Sequence, residues 1–334
     1  MKATIYDIAK ATGVSIATVS KVLNNTGRIS EATRKKVLNA IEELGYEKSA
    51  IASALAGKNT YTIGFLLPDI NNPFFAEVAR GAEDAAFERG YSVLICSTDH
   101  REEKERSYLK TLRHKRMDGL VIATGTTPRE TLEELMDEGV RIVLMSREIP
   151  GALIGSVMVD NHRGGQLAAE HLLSLGHRKI GLIMEPLSIG SAHDIFRGFQ
   201  KAAEGTDAEL FVSKETGFGI EAGARLAGEM LARHEVTALF AANDELAVGV
   251  LQACRERGIR VPEDLSVVGY DNTILSRIVT PALTTVAQPI YELGRRTVHL
   301  LMDGIENENQ PKNREVLEPR LIVRESTAPP PIHR

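Results

Sequence analysis

Beyond residue 60 the chain alternates short apolar runs with amphipathic stretches. Runs at 63–67, 92–96, 119–123 and 141–145 have strand length, and between them 74–89, 102–115 and 129–138 carry apolar residues at helical spacing. A second series follows, with strands expected near 156–159, 180–184, 209–212, 238–241 and 266–269. Its helices are expected near 162–175, 192–204, 219–233, 244–257 and 289–303. This alternation predicts parallel sheets with helices on both faces, an α/β body.

The first sixty residues carry helical spacing alone. Thr4 is placed to cap a first helix, with Asp7 favouring its positive end and Ile5, Ile8 and Ala9 on one face. Gly13 breaks the pattern, and Ser15 opens a second helix with Val19, Val22 and Leu23 at the same spacing. Gly27 ends that segment. Ser30 caps a third, with Val37, Leu38, Ile41 and Leu44 expected inward and Gly45 at a left-handed C-terminal position. Two short helices joined by a glycine turn, crossed by a third, form the helix-turn-helix plan.

That plan explains the residues left outside. Ser15, Ile16, Ala17, Thr18, Ser20, Lys21 and Asn24 face away from the apolar stripe of the second helix, which is narrow enough for a major groove. Thr18 and Ser20 suit phosphate oxygens, Lys21 suits guanine, and Ile16 and Ala17 suit thymine methyl groups. Spacing alone leaves a generic three-helix bundle open. Charge leans the same way: residues 1–60 hold nine Lys/Arg against five Asp/Glu, while the whole chain carries −5. A basic head on an acidic body points the head at a polyanion.

The run from Thr4 to Asn24, TIYDIAKATGVSIATVSKVLN, resembles the DNA-binding head of the LacI/GalR family of bacterial transcription regulators. The resemblance implies major-groove contacts from Ile16, Ala17 and Lys21 and phosphate contacts from Ser15, Thr18, Ser20 and Asn24, with Thr4 at the start of the module. It divides the chain into a head at 1–46, a linker at 47–60 and a two-lobed effector-binding and dimerisation body at 61–334. The linker is small and Ala-rich, too short to be a stable isolated helix. In the family it forms a hinge helix whose leucine wedges into the minor groove, and Leu55 matches that leucine. Lys48 stands in a frequent Pro-Asn pair, where it can restore phosphate attraction, and Ser53 replaces a common Arg or Gln. A plain flexible linker is the alternative.

The resemblance continues through Asn243-Asp-Glu-Leu-Ala, through 261–271 and through 281–289 to the C-terminal part of the chain. It implies a periplasmic-binding-protein-like body whose ligand lies at the carboxyl ends of the strands, between two lobes. The family's effector residues fall on Phe74, Phe75, Asn243 and Asp271, with Arg147 and Ser191 as further candidates; Asp244 is equally readable as a helix cap. Two positions depart from the pattern: the family's pocket arginine falls at Ile195, and a usual aromatic falls at Lys214. We expect from this an anionic effector, such as a phosphorylated metabolite, or a partner protein that supplies the signal.

Other chemistry is sparse. Gly217-Phe-Gly-Ile-Glu-Ala-Gly223 has dinucleotide-loop spacing, but Ser213-Lys-Glu-Thr216 separates it from the preceding strand, so helix packing is expected instead. Cys96 and Cys254 stand alone, against disulfide and zinc scaffolds. No nucleophile is spaced with a base and no Walker loop occurs, so neither an enzyme nor a cofactor is expected. No apolar run approaches a membrane span and the N-terminus lacks a secretory core, so a cytoplasmic protein without membrane partners is expected. The expected function is a repressor, a homodimer on near-palindromic operator DNA under effector control. The alternative is a solute-binding protein that uses the same two-lobed fold.

Overall fold

A computed structural model describes residues 3–23, 26–46, 59–149, 151, 154–307 and 313–331. Two units result, one within Met1–Thr60 and one within Tyr61–Arg334.

The first unit is three helices: α1 (Ile5–Thr12), α2 (Ile16–Leu23) and α3 (Glu31–Glu43). Their core is Ile8, Val19, Val22, Val37 and Ala40. The ends follow their sequence signals. Asp7 accepts from the Thr4 backbone N–H and hydroxyl at 2.8 and 2.7 Å, and Gly13 closes α1 at φ 65°, where a side chain would be strained. Ser30 Oγ accepts from the Thr33 N–H. Leu38 and Leu44, expected inward, are 48% and 41% exposed. The buried stripe of α3 is Val37, Ala40 and Ile41, an i, i+3, i+4 set, and it leaves both leucines on the shoulders.

The second unit begins with β1 (Thr62–Leu67), α4 (Pro73–Glu88), β2 (Ser92–Ser97), α5 (Glu102–His114), β3 (Gly119–Ile122), α6 (Arg129–Asp137), β4 (Arg141–Met145) and β5 (Gly155–Val159). It continues with α7 (Asn161–Ser174), β6 (Lys179–Ile183), α8 (Gly190–Ala203), β7 (Glu209–Val212), α9 (Gly219–Arg233), β8 (Ala238–Ala241), α10 (Asp244–Glu256) and β9 (Ser266–Asp271). It ends with α11 (Leu275–Ile278), β10 (Thr284–Ala287), α12 (Ile290–Glu306), β11 (Arg314–Leu317) and β12 (Arg320–Ile322).

Two six-stranded sheets form, in the orders β11-β5-β4-β3-β1-β2 and β12-β10-β9-β8-β6-β7. All neighbours are parallel except β10 and β12. Each sheet is covered on its faces by helices, giving two lobes with their own cores.

The two series are not strictly in tandem. β5, which the pattern placed in the second series, pairs with β4 in the first sheet. α12 returns from the second lobe and buries Ile290, Leu293, Val298 and Leu301 in the first-lobe core, and β11 then pairs with β5. The chain therefore crosses between lobes after β5, after β10 and after β11, and these crossings tie the lobes along one side.

The last glycine of the GxGxxxG run serves packing. A Cβ on Gly223 would lie 2.3 Å from the Leu246 carbonyl oxygen, so the glycine lets α9 and α10 touch backbone to backbone. Among the described residues no helix is long and apolar enough to cross a membrane.

Candidate functional site

On the head, α2 turns its polar start outward. Ser15, Ile16, Ala17 and Lys21 are exposed, and Thr18 and Ser20 are half-buried. The hydroxyls expected to meet phosphates are tied to the helix end: Ser15 Oγ accepts from the Thr18 N–H at 3.1 Å and lies 2.9 Å from Thr18 Oγ1. They fix the entry geometry of α2 and leave Ile16, Ala17 and Lys21 as its outward reach. Tyr6, on α1, is 68% exposed. Sequence reasoning passed over it, although its position two before Ile8 puts it off the apolar stripe. Asn24, Lys48, Ser53 and Leu55 lie outside the described residues.

In the body the lobes face one another across the carboxyl ends of their parallel strands, and contacts between described residues span the gap. Asn72, after β1, donates to Glu245 Oε2 on α10 at 3.0 Å. The His100 ring, after β2, stacks on the Phe218 ring before α9 at 3.9 Å between centroids and 16° between planes. Burial holds the His100 imidazole below its ordinary pKa, against the pull of Asp69 and Asp99.

Backbone strain concentrates at the same strand ends. Asp99, His100, Ser146, Asp271 and Asn272 all have positive φ, with Asp271 at 107°. Non-glycine residues rarely adopt that region, and surrounding structure must hold them there.

On the first-lobe wall, Asn72 Oδ1 caps α4 by accepting from the Phe74 N–H at 2.8 Å. Phe74 points into the first-lobe core and is 7% exposed, while Phe75 is half-buried and meets it edge to face at 5.0 Å. Phe75, not Phe74, is therefore the ring nearer a ligand-accessible position. Arg147 is half-buried and donates to the Thr124 and Thr127 carbonyls at 2.8 and 3.3 Å. Burial lowers its pKa, partly offset by the charge of Glu105. Glu105 is itself buried and accepts from the hydroxyls of Thr126 and Thr127, which fixes the loop that Arg147 grips. The buried Thr124 Oγ1 has no hydrogen-bond partner among the described residues.

On the second-lobe wall, Asn243 caps α10, accepting from the Leu246 N–H at 2.7 Å, and donates through Nδ2 to Glu185 Oε1 at 2.6 Å. Burial pushes the Glu185 carboxyl up to about 7, and nearby Glu245 adds to the shift. Asp244 is not the cap. It is buried and accepts from the Thr273 N–H and hydroxyl and from Thr285 Oγ1, bracing the turn that carries Asp271. Asp271 accepts from Gln288 Nε2 at 2.7 Å, and burial together with Asp244, Glu185 and Glu245 holds its carboxyl well above the usual range. Ser191 is half-buried in the first turn of α8, Lys214 is exposed beyond β7, and Ile195 is buried in the second-lobe core. Glu185, Glu245 and Gln288 escaped sequence reasoning. Only their places mark them, just after β6 and β10 for Glu185 and Gln288 and in the first turn of α10 for Glu245.

Comparison with known proteins fits this anatomy. Residues 4–49 match the family described as bacterial regulatory proteins, lacI family, and residues 169–327 match the periplasmic binding protein-like domain. The chain is 45% identical to the HTH-type transcriptional regulator DegA of Bacillus subtilis, covering 98% of this chain and 99% of that one. It is 39% identical to the ribose operon repressor of Halalkalibacterium halodurans, covering 97% of each. Among solved structures, the lac repressor dimer bound to operator and the anti-inducer ONPF superposes with a TM-score of 0.87 at 29% identity, over 98% of this chain and all of that one. A LacI family regulator of Enterococcus faecium with bound ribose superposes at 0.75 with 35% identity, over 80% of this chain and 99% of that one. The family is one of transcription regulators rather than enzymes, and this chain belongs to it: the protein is a LacI-family regulator.

Proposed function

We propose that the protein is a repressor that binds a near-palindromic operator as a homodimer, with its affinity set by a small polyhydroxylated effector held between the lobes of the body. The observation that carries the DNA half is the outward face of α2, where Ile16, Ala17 and Lys21 stand exposed on a helix whose start is fixed by Ser15 and Thr18. Two-fold symmetry then asks for half-sites about one helical turn apart. Residues 47–60 act as a hinge between head and body, with Leu55 wedging a central base step and Lys48 and Ser53 beside it. The effector half rests on Phe75, Arg147, Asn243 and Asp271 at the strand ends, with Ser191 and Lys214 at the second-lobe edge. Closure about the ligand favours one spacing of the two hinges over another.

The anionic effector expected from the sequence fits this crevice poorly. Carboxyls of Glu185, Glu245 and Asp271 crowd the second-lobe wall, and the Arg147 guanidinium opposite them is already engaged by two carbonyls. A phosphate group placed there meets repulsion from one wall and a preoccupied cation on the other.

Selection of bound sequences from random DNA by the full-length protein tests the reading. A near-palindrome with two half-sites is expected, and a Leu55→Ala variant should bend it less. Recovery of no consensus contradicts the proposal. A solute-binding protein of the same two-lobed design would recover none.

A further inference from the structure

Three carboxyls in the crevice share an unusual arrangement. Glu185 takes its hydrogen bond from Asn243, Glu245 from Asn72 and Asp271 from Gln288, at 2.6, 3.0 and 2.7 Å. Each donor is a neutral carboxamide. Many carboxylates elsewhere on the body pair with cations instead, among them Asp84 with Arg80, Glu88 with Arg295 and Asp264 with Arg260. A carboxamide satisfies one oxygen of a carboxyl but leaves its charge unbalanced, and the cost of unbalanced charge rises with burial.

The surroundings deepen the imbalance. Asp271 feels Asp244, Glu185 and Glu245, Glu185 feels Glu245, and Glu245 feels Asp69 and Glu221, so each of the three has acidic neighbours that disfavour its charge. Lys214 stands exposed at the edge of this wall, and two arginines nearby already make hydrogen bonds. Arg147 grips the Thr124 and Thr127 carbonyls on the opposite lobe, and Arg324 donates to the Leu283 carbonyl and to Asn272. At position 195, where the resembled pattern has an arginine, stands a buried isoleucine.

We infer that the crevice is built for an effector carrying a positively charged nitrogen, a polyol with a primary ammonium group, which lies against Glu185, Glu245 and Asp271. This rests on the reading of the crevice as the effector site and names the class of molecule that fills it. An ammonium brings three donors and one charge, so it can bridge two of these carboxyls while the carboxamides keep their present bonds. The hydroxyls of the same ligand then meet Asn243 and Thr124 Oγ1, which has no hydrogen-bond partner among the described residues, groups a neutral ring would also use. Three carboxyls instead of one give selectivity by charge, because a neutral analogue leaves the repulsion in place and an anionic one adds to it.

The test is thermal unfolding of the full-length protein with related compounds that differ in charge at the amine or at O6. The sets are glucosamine, galactosamine and mannosamine, then their N-acetyl derivatives, then their 6-phosphates, with ribose and glucose as neutral references. At least one amino sugar should raise Tm by several degrees at high excess, while its N-acetyl and phosphate counterparts do not. Glu185→Gln and, separately, Glu245→Gln should each weaken that amine by on the order of tenfold, with neutral sugars unaffected. A response to neutral sugars with silence from the amines overturns the charge inference and leaves the effector reading intact. An amine shift that survives both substitutions overturns it as well. Silence from every set removes the effector reading together with the inference.

Discussion

Asn243 divides its carboxamide between two partners: Oδ1 accepts from the Leu246 N–H at 2.7 Å, and Nδ2 donates to Glu185 Oε1 at 2.6 Å. The same side chain that starts α10 also holds the carboxyl after β6, so the helix end and the crevice wall are set together. Asn243→Ala removes the cap and strips Glu185 of its donor. A loss of about 2–3 kcal/mol is expected in urea unfolding, combining a cap and a buried polar group left unmet. A loss below about 0.5 kcal/mol would show that the two bonds are not coupled in solution.

Glu185 also makes stability depend on pH. Its folded pKa, near 7, lies above the ordinary value of 4.5, so the native state holds a proton that the unfolded chain releases. Stability from this group is full below about pH 4.5 and declines as pH rises through about 7, the direction required when the native state binds more protons. Asn243 opposes the shift by bonding the charged form and Glu245 reinforces it. Relative to the wild type, Glu185→Gln should lose less stability between pH 5 and pH 8, by about 1–3 kcal/mol in denaturation series. Parallel curves for the two proteins contradict this.

How far the sequence carried varied with what each residue does locally. The strands β4 and β8 begin and end where hydrophobic runs place them, because a buried parallel strand is a nearly continuous apolar stretch. β10 escaped notice because Thr284 and Thr285, both fully buried, replace aliphatic residues and meet their needs through Thr327 and Asp244. β11 and β12 are short and partly exposed edge strands, and no periodicity marks a strand that returns to the first sheet after α12. The same limit applied to the site. Asn243 and Asp271 stand at strand ends that the pattern marks, whereas the pairing of Asn72 with Glu245 joins positions 173 apart in the chain. Phe74 and Phe75 differ in burial, and spacing cannot say which of two adjacent rings enters the core.

Close packing of α9 on α10 gives a further expectation. At Gly223 a Cβ would stand 2.3 Å from the Leu246 carbonyl oxygen, and backbone cannot yield as a flexible side chain does. Gly223→Ala should cost about 1–3 kcal/mol, or more, through overpacking and displacement of α10. Urea unfolding with an unchanged midpoint would show that the helices separate freely.

On the head, Lys21 is exposed on α2, with its stem lying over Gly27. Lys21→Ala should weaken the selected operator by about 1–3 kcal/mol and relax preference at a single base position if the ammonium meets a base edge. A uniform loss across sequences, with a salt slope smaller by about one, assigns Lys21 to phosphate instead. No loss at all contradicts its place at the interface.

The central claim is that the head grips a specific duplex and the body adjusts that grip. Fluorescence anisotropy of the full-length protein on its selected operator, against a scrambled duplex and across a salt series, measures this directly. The account predicts a preference of at least about a thousandfold, an affinity that falls steeply with salt, and a shift in affinity when a crevice ligand is added. Equal binding of both duplexes at every salt and ligand concentration contradicts it.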